Sequence, residues 1–347
     1  MHRIAAAYLI AAAPLVPHFA TAQDGPYKVL ATTKVGGAGG FDYIFADSDG
    51  RKLYIARSGA GGHVSVFNLD TLAPAGDIPN ANGTHGATVD TKYGHGFVSA
   101  KPVIMFDSKT LAVIKTIDVQ GNPDGYLTDP FNDRVYILSH AAPNVTVLDA
   151  KDGAILGTID IGGAPEQAVS DGKGRLYIDI EDKDAIAVID SVNMKMLGKY
   201  DISSKGGGCA GLAIDPKNGI LFATCRDKKN MIILTAKDGT ILTDLPTGNG
   251  SDGATFNPAT MEAFSSQGDG TLTIVKEKSP TSFVVEQTVT TPPRAKTITL
   301  DPKTGKLFLM TAEYAAPATP ATPPAPGTRP ARPAMLPDSF MIVTVGK

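Results

Sequence analysis

Ionisable side chains recur along this 347-residue chain at near-constant spacing. Asp42, His85, Asp124, Glu166, Asp252 and Lys296 follow one another at intervals of 39 to 44 residues once Ala210 is counted between Glu166 and Asp252. If a fold gathers these positions, four carboxylates, one imidazole and one ammonium converge. Their mutual repulsion is then relieved by protonation, by Lys296 or by a bound cation. Oxygen ligands with one imidazole, drawn from Asp42, His85, Asp124 and Glu166, suit Ca, Mg or Mn, with Zn also compatible. The alternative is a solvated polar rim with no ligand.

The positioning elements are visible in the same repeat. An Asp or Asn, a short turn and an apolar group ending in Tyr or Phe appear seven times: Asp47 with Tyr54, Asp90 with Phe97, Asp129 with Tyr136, Asp171 with Tyr177, Asp215 with Phe222, Asn257 with Phe264 and Asp301 with Phe308. The period is that of a four-stranded propeller blade. Alternating runs such as Val64-Ser65-Val66-Phe67 and Val145-Thr146-Val147-Leu148 decide for strands over helices. Asp-Pro-Lys-Asn-Gly at 215 to 219 and Asp-Pro-Lys-Thr-Gly at 301 to 305 supply turn chemistry between the first two strands of a blade. The spacing therefore predicts an all-β, seven-bladed β-propeller with four-stranded antiparallel blades, lettered a to d from the channel outward. The seventh repeat stops after its third strand, Phe340 to Val345, and the run Val29 to Val35 has no repeat of its own, so the N-terminal strand is expected to close the last blade.

Leu-Tyr-Ile-Ala at 53 to 56, Val-Tyr-Ile-Leu at 135 to 138 and Leu-Tyr-Ile-Asp at 176 to 179, each followed by a Val-rich strand, resemble the YVTN-type propeller repeat. With its N-terminal segment the chain resembles the YncE-like exported propellers over residues 27 to 347, apart from one insertion. That resemblance implies fold more than activity, because related propellers include lactonases, lyases and subunits of quinone-linked dehydrogenases.

In such a ring the six recurrent positions lie at the channel mouth. Strand b of several blades ends on the same face, at Arg57, His140, Glu181 and Arg226. His63, in the adjoining connection, is expected to join His85, His140, Asp42 and Asp124 over blades one to three. His85 and His140 are the candidates for proton transfer, and Arg57, Arg226 and Lys296 for anion recognition. His95, in Tyr93-Gly94-His95-Gly96, reads as a solvent-exposed turn residue on the opposite face.

Cys209 and Cys225 flank one predicted hairpin symmetrically and are expected to form a disulfide. Residues 1 to 22 carry a short basic start, an apolar run from Ile4 to Val16 and Ala20-Thr21-Ala22, the pattern of a signal peptide cleaved after Ala22. One propeller domain, 23 to 347, is expected in the periplasm or outside the cell. Its Pro/Ala-rich segment 315 to 337, with Arg329 and Arg332 as its only charges, reads as a loop inserted in blade seven that cannot form a ladder.

Other motifs fail. Gly36-Gly37-Ala38-Gly39-Gly40 lacks nucleotide-loop spacing and reads as a flexible link, and no CxxC, HExxH or CxxCH occurs. With 42% hydrophobic and 19% charged residues the chain is globular, and a formal net charge of -3 disfavours nucleic-acid binding. Three functions stay open: a monomeric binding or scaffold protein for a small molecule, metal or envelope partner; a metal-assisted lactonase- or lyase-type enzyme; and an accessory subunit of a quinone- or haem-linked dehydrogenase. The first is favoured, since no constellation has the spacing of a known catalytic set.

Overall fold

The computed structural model describes residues 25–37, 39–59, 61–316 and 333–347. Its strands form seven sheets of four, each antiparallel and each taken in chain order except the last. Blade one runs Gly40–Asp47, Lys52–Ser58, His63–Asn68 and Pro74–Ile78. Blade seven takes Ile298–Asp301, Lys306–Thr311 and Met341–Gly346, and its outer strand is Lys28–Lys34 from the other end of the chain. The chain is a seven-bladed β-propeller, closed as the repeat count predicts.

Each repeat residue has a local task. The marker carboxylate takes main-chain N–H groups of its own turn: Asp47 Oδ1 accepts from Gly50 at 2.8 Å, Asp215 Oδ1 from Lys217 at 2.9 Å and Asp171 Oδ1 from Lys173 at 2.7 Å. Such bonds satisfy donors that the ladder cannot reach. The aromatic then enters the space between blades, where Phe97, Phe222 and Phe264 are fully buried. Each contributes roughly 1.5–3 kcal/mol relative to exposure. One apolar cluster joins Tyr54, Val64 and Ile78 of blade one to Val98, Ile104 and Phe106 of blade two, so the core is distributed between neighbouring sheets.

Ring closure is reinforced beyond the ladder. Lys28 to Lys34 pairs with Gly346 to Met341. Just ahead of it, buried Tyr27 exchanges two hydrogen bonds with the Gln287 amide, at 3.0 and 2.7 Å, and donates its hydroxyl to the Glu262 carboxylate. Lys347 reaches the same carboxylate at 3.0 Å.

Cys209 and Cys225 stand opposite each other on strands a and b of blade five and are joined as the predicted disulfide. The segment read as a signal peptide lies outside the described residues, as does most of the blade-seven insertion. Its described ends correct one expectation: Tyr314 and Met335 form a bridge, with Ala315 N donating to Ala334 O and Leu336 N to Glu313 O, each at 2.8 Å. The segment leaves the sheet through a short two-stranded neck. No helix among the described residues is long and apolar enough to cross a membrane.

Candidate functional site

The recurrent ionisable residues owe their direction to β-bulges. In five blades the register slips as the innermost strand begins: between Phe41 and Ile44, Pro123 and Tyr126, Pro165 and Ala168, Cys209 and Gly211, and Ser251 and Gly253. The residues stepped over include Asp42, Asp124, Glu166, Ala210 and Asp252. A bulge leaves its extra residue out of the ladder and re-aims the side chain. His85 and Lys296 precede their strands instead, and the His85 carbonyl accepts Tyr43 N at 2.8 Å, tying blade two to blade one.

One half of the mouth is acidic and imidazole-rich. His85 Nδ1 lies 2.7 Å from both Asp42 Oδ2 and Asp124 Oδ1. His140 Nε2 lies 2.9 Å from Asp124 Oδ2 and 3.7 Å from Glu166 Oε1. Hydrogen bonds to Asp124 and Asp42 push the His85 imidazole up to about 10, and the bond to Asp124 raises His140. Burial alone would raise Asp124, but both imidazoles outweigh it and hold this carboxyl well below the usual range. Glu166 goes the other way: burial, a hydrogen bond with Glu181 and the charge on Asp124 keep it a neutral acid. At neutral pH the half therefore holds an imidazolium at His85 against ionised Asp124, beside a protonated Glu166.

The other half is cationic. Arg226 contacts Glu181 and Asp252, and Lys296 also contacts Asp252. Glu181 sits in a short 3₁₀ turn, Glu181–Lys183, directly after strand b rather than within it. Arg226 and Lys296 line a cleft of about 970 Å³ with Arg294, Asp252 and Asp338. Its apolar wall comes from Phe41, Tyr314, Met335 and Leu336, so the neck of the insertion builds part of the site. The Arg294 guanidinium lies over the Tyr314 ring at 4.2 Å. Gly37, Gly39 and Gly40 also line this cleft, which gives the glycine run a place in the wall. At Gly39, with φ of 96°, a Cβ would meet the Ser58 carbonyl oxygen at 2.6 Å.

Two expected members stand elsewhere. Arg57 is 2% exposed, lies 3.8 Å over the Phe340 ring and donates to the Gly36 carbonyl at 3.3 Å, so it packs the seam between blades seven and one. Burial lowers this guanidinium to about 10. His63 begins the third strand of blade one and faces Asp77 at 3.8 Å, apart from the His85 and His140 cluster. His95 is half-buried and hydrogen-bonds the Ala150 carbonyl at 3.1 Å, because its turn is covered by the next blade.

Sequence reasoning missed four contributors. Arg294 has no repeat-equivalent partner. Tyr43 lies beside Asp42 in the same bulge, and packs edge-on against Tyr126. Gln167, beside Glu166, crosses the channel below the mouth to bond the Ala254 and Leu212 main chain. Asp179, on strand b of blade four, is fully buried with neither carboxylate oxygen hydrogen-bonded, and burial pushes it well up.

No protein-family model matches the sequence, and no curated protein matches it. Solved structures do. A chain of the crystal structure of a mitotic checkpoint complex superposes with a TM-score of 0.69 at 13% identity, covering 89% of this chain and 95% of its own. A chain of Kuenenia stuttgartiensis hydrazine synthase superposes at 0.60 with 14% identity, covering 69% and 84%. At such identities the likeness is one of fold.

Proposed function

We propose that this chain is an exported binding protein of the YVTN propeller type, recognising an amphiphilic anion in the cleft between the channel mouth and the insertion neck. The cleft carries the reading: Arg226, Arg294 and Lys296 face a wall of Phe41, Tyr314, Met335 and Leu336 in one concavity of about 970 Å³. Such a space takes a ligand of ordinary cofactor or metabolite size, with the cations fixing its acidic group and the wall covering its apolar body. The lining itself carries three cations, Arg226, Arg294 and Lys296, against two carboxylates, Asp252 and Asp338, while Glu181 pairs with Arg226 from outside it.

A hydrolytic reading finds less support. His85 is held protonated by Asp124 and Asp42, and an imidazolium cannot accept a proton as a general base near pH 7; the contact with Asp124 shifts His140 in the same direction.

The test uses 8-anilinonaphthalene-1-sulfonate, an apolar ring system bearing one anion, beside uncharged N-phenyl-1-naphthylamine. Saturable sulfonate binding at one site per chain is expected. The Arg294→Ala, Lys296→Ala double variant should weaken it about 10- to 100-fold, as expected for lost charge-assisted bonds, while the uncharged probe changes far less. Equal binding of the sulfonate to wild type and variant overturns the proposal.

A further inference from the structure

We propose that the imidazole half of the mouth is a site for a divalent transition-metal ion, with Asp124 as its central ligand. This half shares no ligand residue with the anion cleft, so the two readings stand or fall separately.

The geometry that carries this is a mismatch between protons and acceptors. His85 Nδ1 faces Asp42 and Asp124 oxygens at the same 2.7 Å. His140 Nε2 faces Asp124 at 2.9 Å and Glu166 at 3.7 Å. A ring nitrogen bears one proton, in the ring plane, and directs it at one acceptor well. A metal ion accepts lone pairs from the nitrogen and from both carboxylates together.

The donors are within reach of such an ion. In each trio, Asp42 with His85 and Asp124, and Asp124 with His140 and Glu166, the ligating atoms all lie within 4.8 Å of one another. With ion-to-ligand distances of about 2.0–2.2 Å, neighbouring donors stand roughly 3–4 Å apart, so shifts of about an ångström complete either position. Asp124 belongs to both trios and turns a different oxygen to each imidazole.

Chemistry selects the ion. Each trio offers one imidazole nitrogen beside two carboxylates, and that nitrogen tips the set toward Zn, Mn, Co or Ni over Ca and Mg, which prefer oxygen alone. Thiolate competition is absent, because both cysteines of the chain are in the disulfide. Entry is open: the side chains of His85 and His140 are 34% and 42% exposed, while Asp124 behind them is 9% exposed.

The experiment is calorimetric titration of Zn²⁺ into the chelator-stripped full chain, alongside Asp124→Asn, a His85→Gln, His140→Gln double variant and a His63→Gln, His95→Gln control. Saturable uptake is expected in wild type and control. Loss of more than about 100-fold in affinity is expected in the first two variants, beyond the 10- to 100-fold that an outer-shell contact commands. Visible absorption of bound Co²⁺ should appear in wild type and vanish in the same two variants. Far-UV circular dichroism and a cooperative urea transition check that each variant keeps its fold, and the double variant alone decides if Asp124→Asn does not fold. Absence of saturable Zn²⁺ uptake in wild type, or affinity unchanged in the variants, overturns the proposal.

Discussion

Removing one charge from the His85 bridge should move its titration by a readable amount. In metal-free protein, contacts with Asp124 and Asp42 raise His85 from an ordinary 6.5 to about 10. Both contacts are 2.7 Å, and Asp124, then Asp42, supply the rise against the lowering by burial. Asp124→Asn keeps the shape and removes one charge, and His85 should then titrate clearly below its wild-type value. Stability follows with a fixed sign. A group whose pKa is higher in the folded state stabilises fully below its unfolded value and loses that contribution as pH rises through the folded one. The window is pH 6.5 to about 10. The rise corresponds to roughly 5 kcal/mol at full strength, which solvent screening of a side chain one-third exposed reduces to about 2 kcal/mol. Asp124, held low, reports the same contact from the acid side, where stability is lost as pH falls below about 4. Ring ¹⁵N chemical shifts across pH 5 to 11 give the titration, and urea unfolding at pH 6 and pH 9.5 gives the stability. A wild-type His85 titrating near 6.5, or one that Asp124→Asn fails to move, would refute the reasoning.

Two further expectations concern stability. Asp179, buried without hydrogen bonds, binds its proton more tightly when folded, so wild type should lose stability as pH rises from about 4. Asp179→Asn should therefore be more stable at pH 7, on the order of 1–3 kcal/mol, with the gap closing toward pH 4; parallel pH profiles from urea unfolding would reject this. The Cys209–Cys225 bond closes a loop of 16 residues. The Cys209→Ala, Cys225→Ala variant should lose about 3 kcal/mol by chain entropy, read by urea unfolding, and unreduced wild type should take up no alkylating agent by intact mass. A loss below about 1 kcal/mol would remove the entropic account.

The repeat made the ring legible because each blade solves the same local problem with the same residue types. Asp47 and Asp215 cap equivalent turns, and Phe97 and Phe222 fill equivalent gaps. Counting back from those markers located Asp42, Asp124, Glu166 and Asp252, since a bulge recurs at that register. It did not locate Tyr43 or Gln167, which share the bulge but have no ionisable equivalents to draw attention to them. His63 was misplaced by its chain neighbourhood: it lies one strand farther from the axis, where its nearest carboxylate is Asp77. Arg57 was read as an anion-recognising cation at the mouth because its burial comes from Phe340, far away in sequence. The cleft depends on the meeting of the glycine run, Arg294 and the insertion neck, and no periodic signal describes a meeting of three singular segments.

Closure by the Lys28–Lys34 strand has a consequence for assembly. That strand pairs with Met341–Gly346, so the contact waits until residue 346 has been synthesised. Until then the nascent protein is an open arc with a free sheet edge at each end, and a loose seven-residue strand tethered to one of them. Docking that strand within its own molecule is an encounter at an effective concentration in the millimolar range. Crowded folding at comparable protein concentration instead permits reciprocal exchange, in which each molecule's first strand completes the other's last blade. Tyr27 and its bonds to Gln287 and Glu262 lock whichever arrangement forms first, so dilution after the fact would separate such dimers slowly.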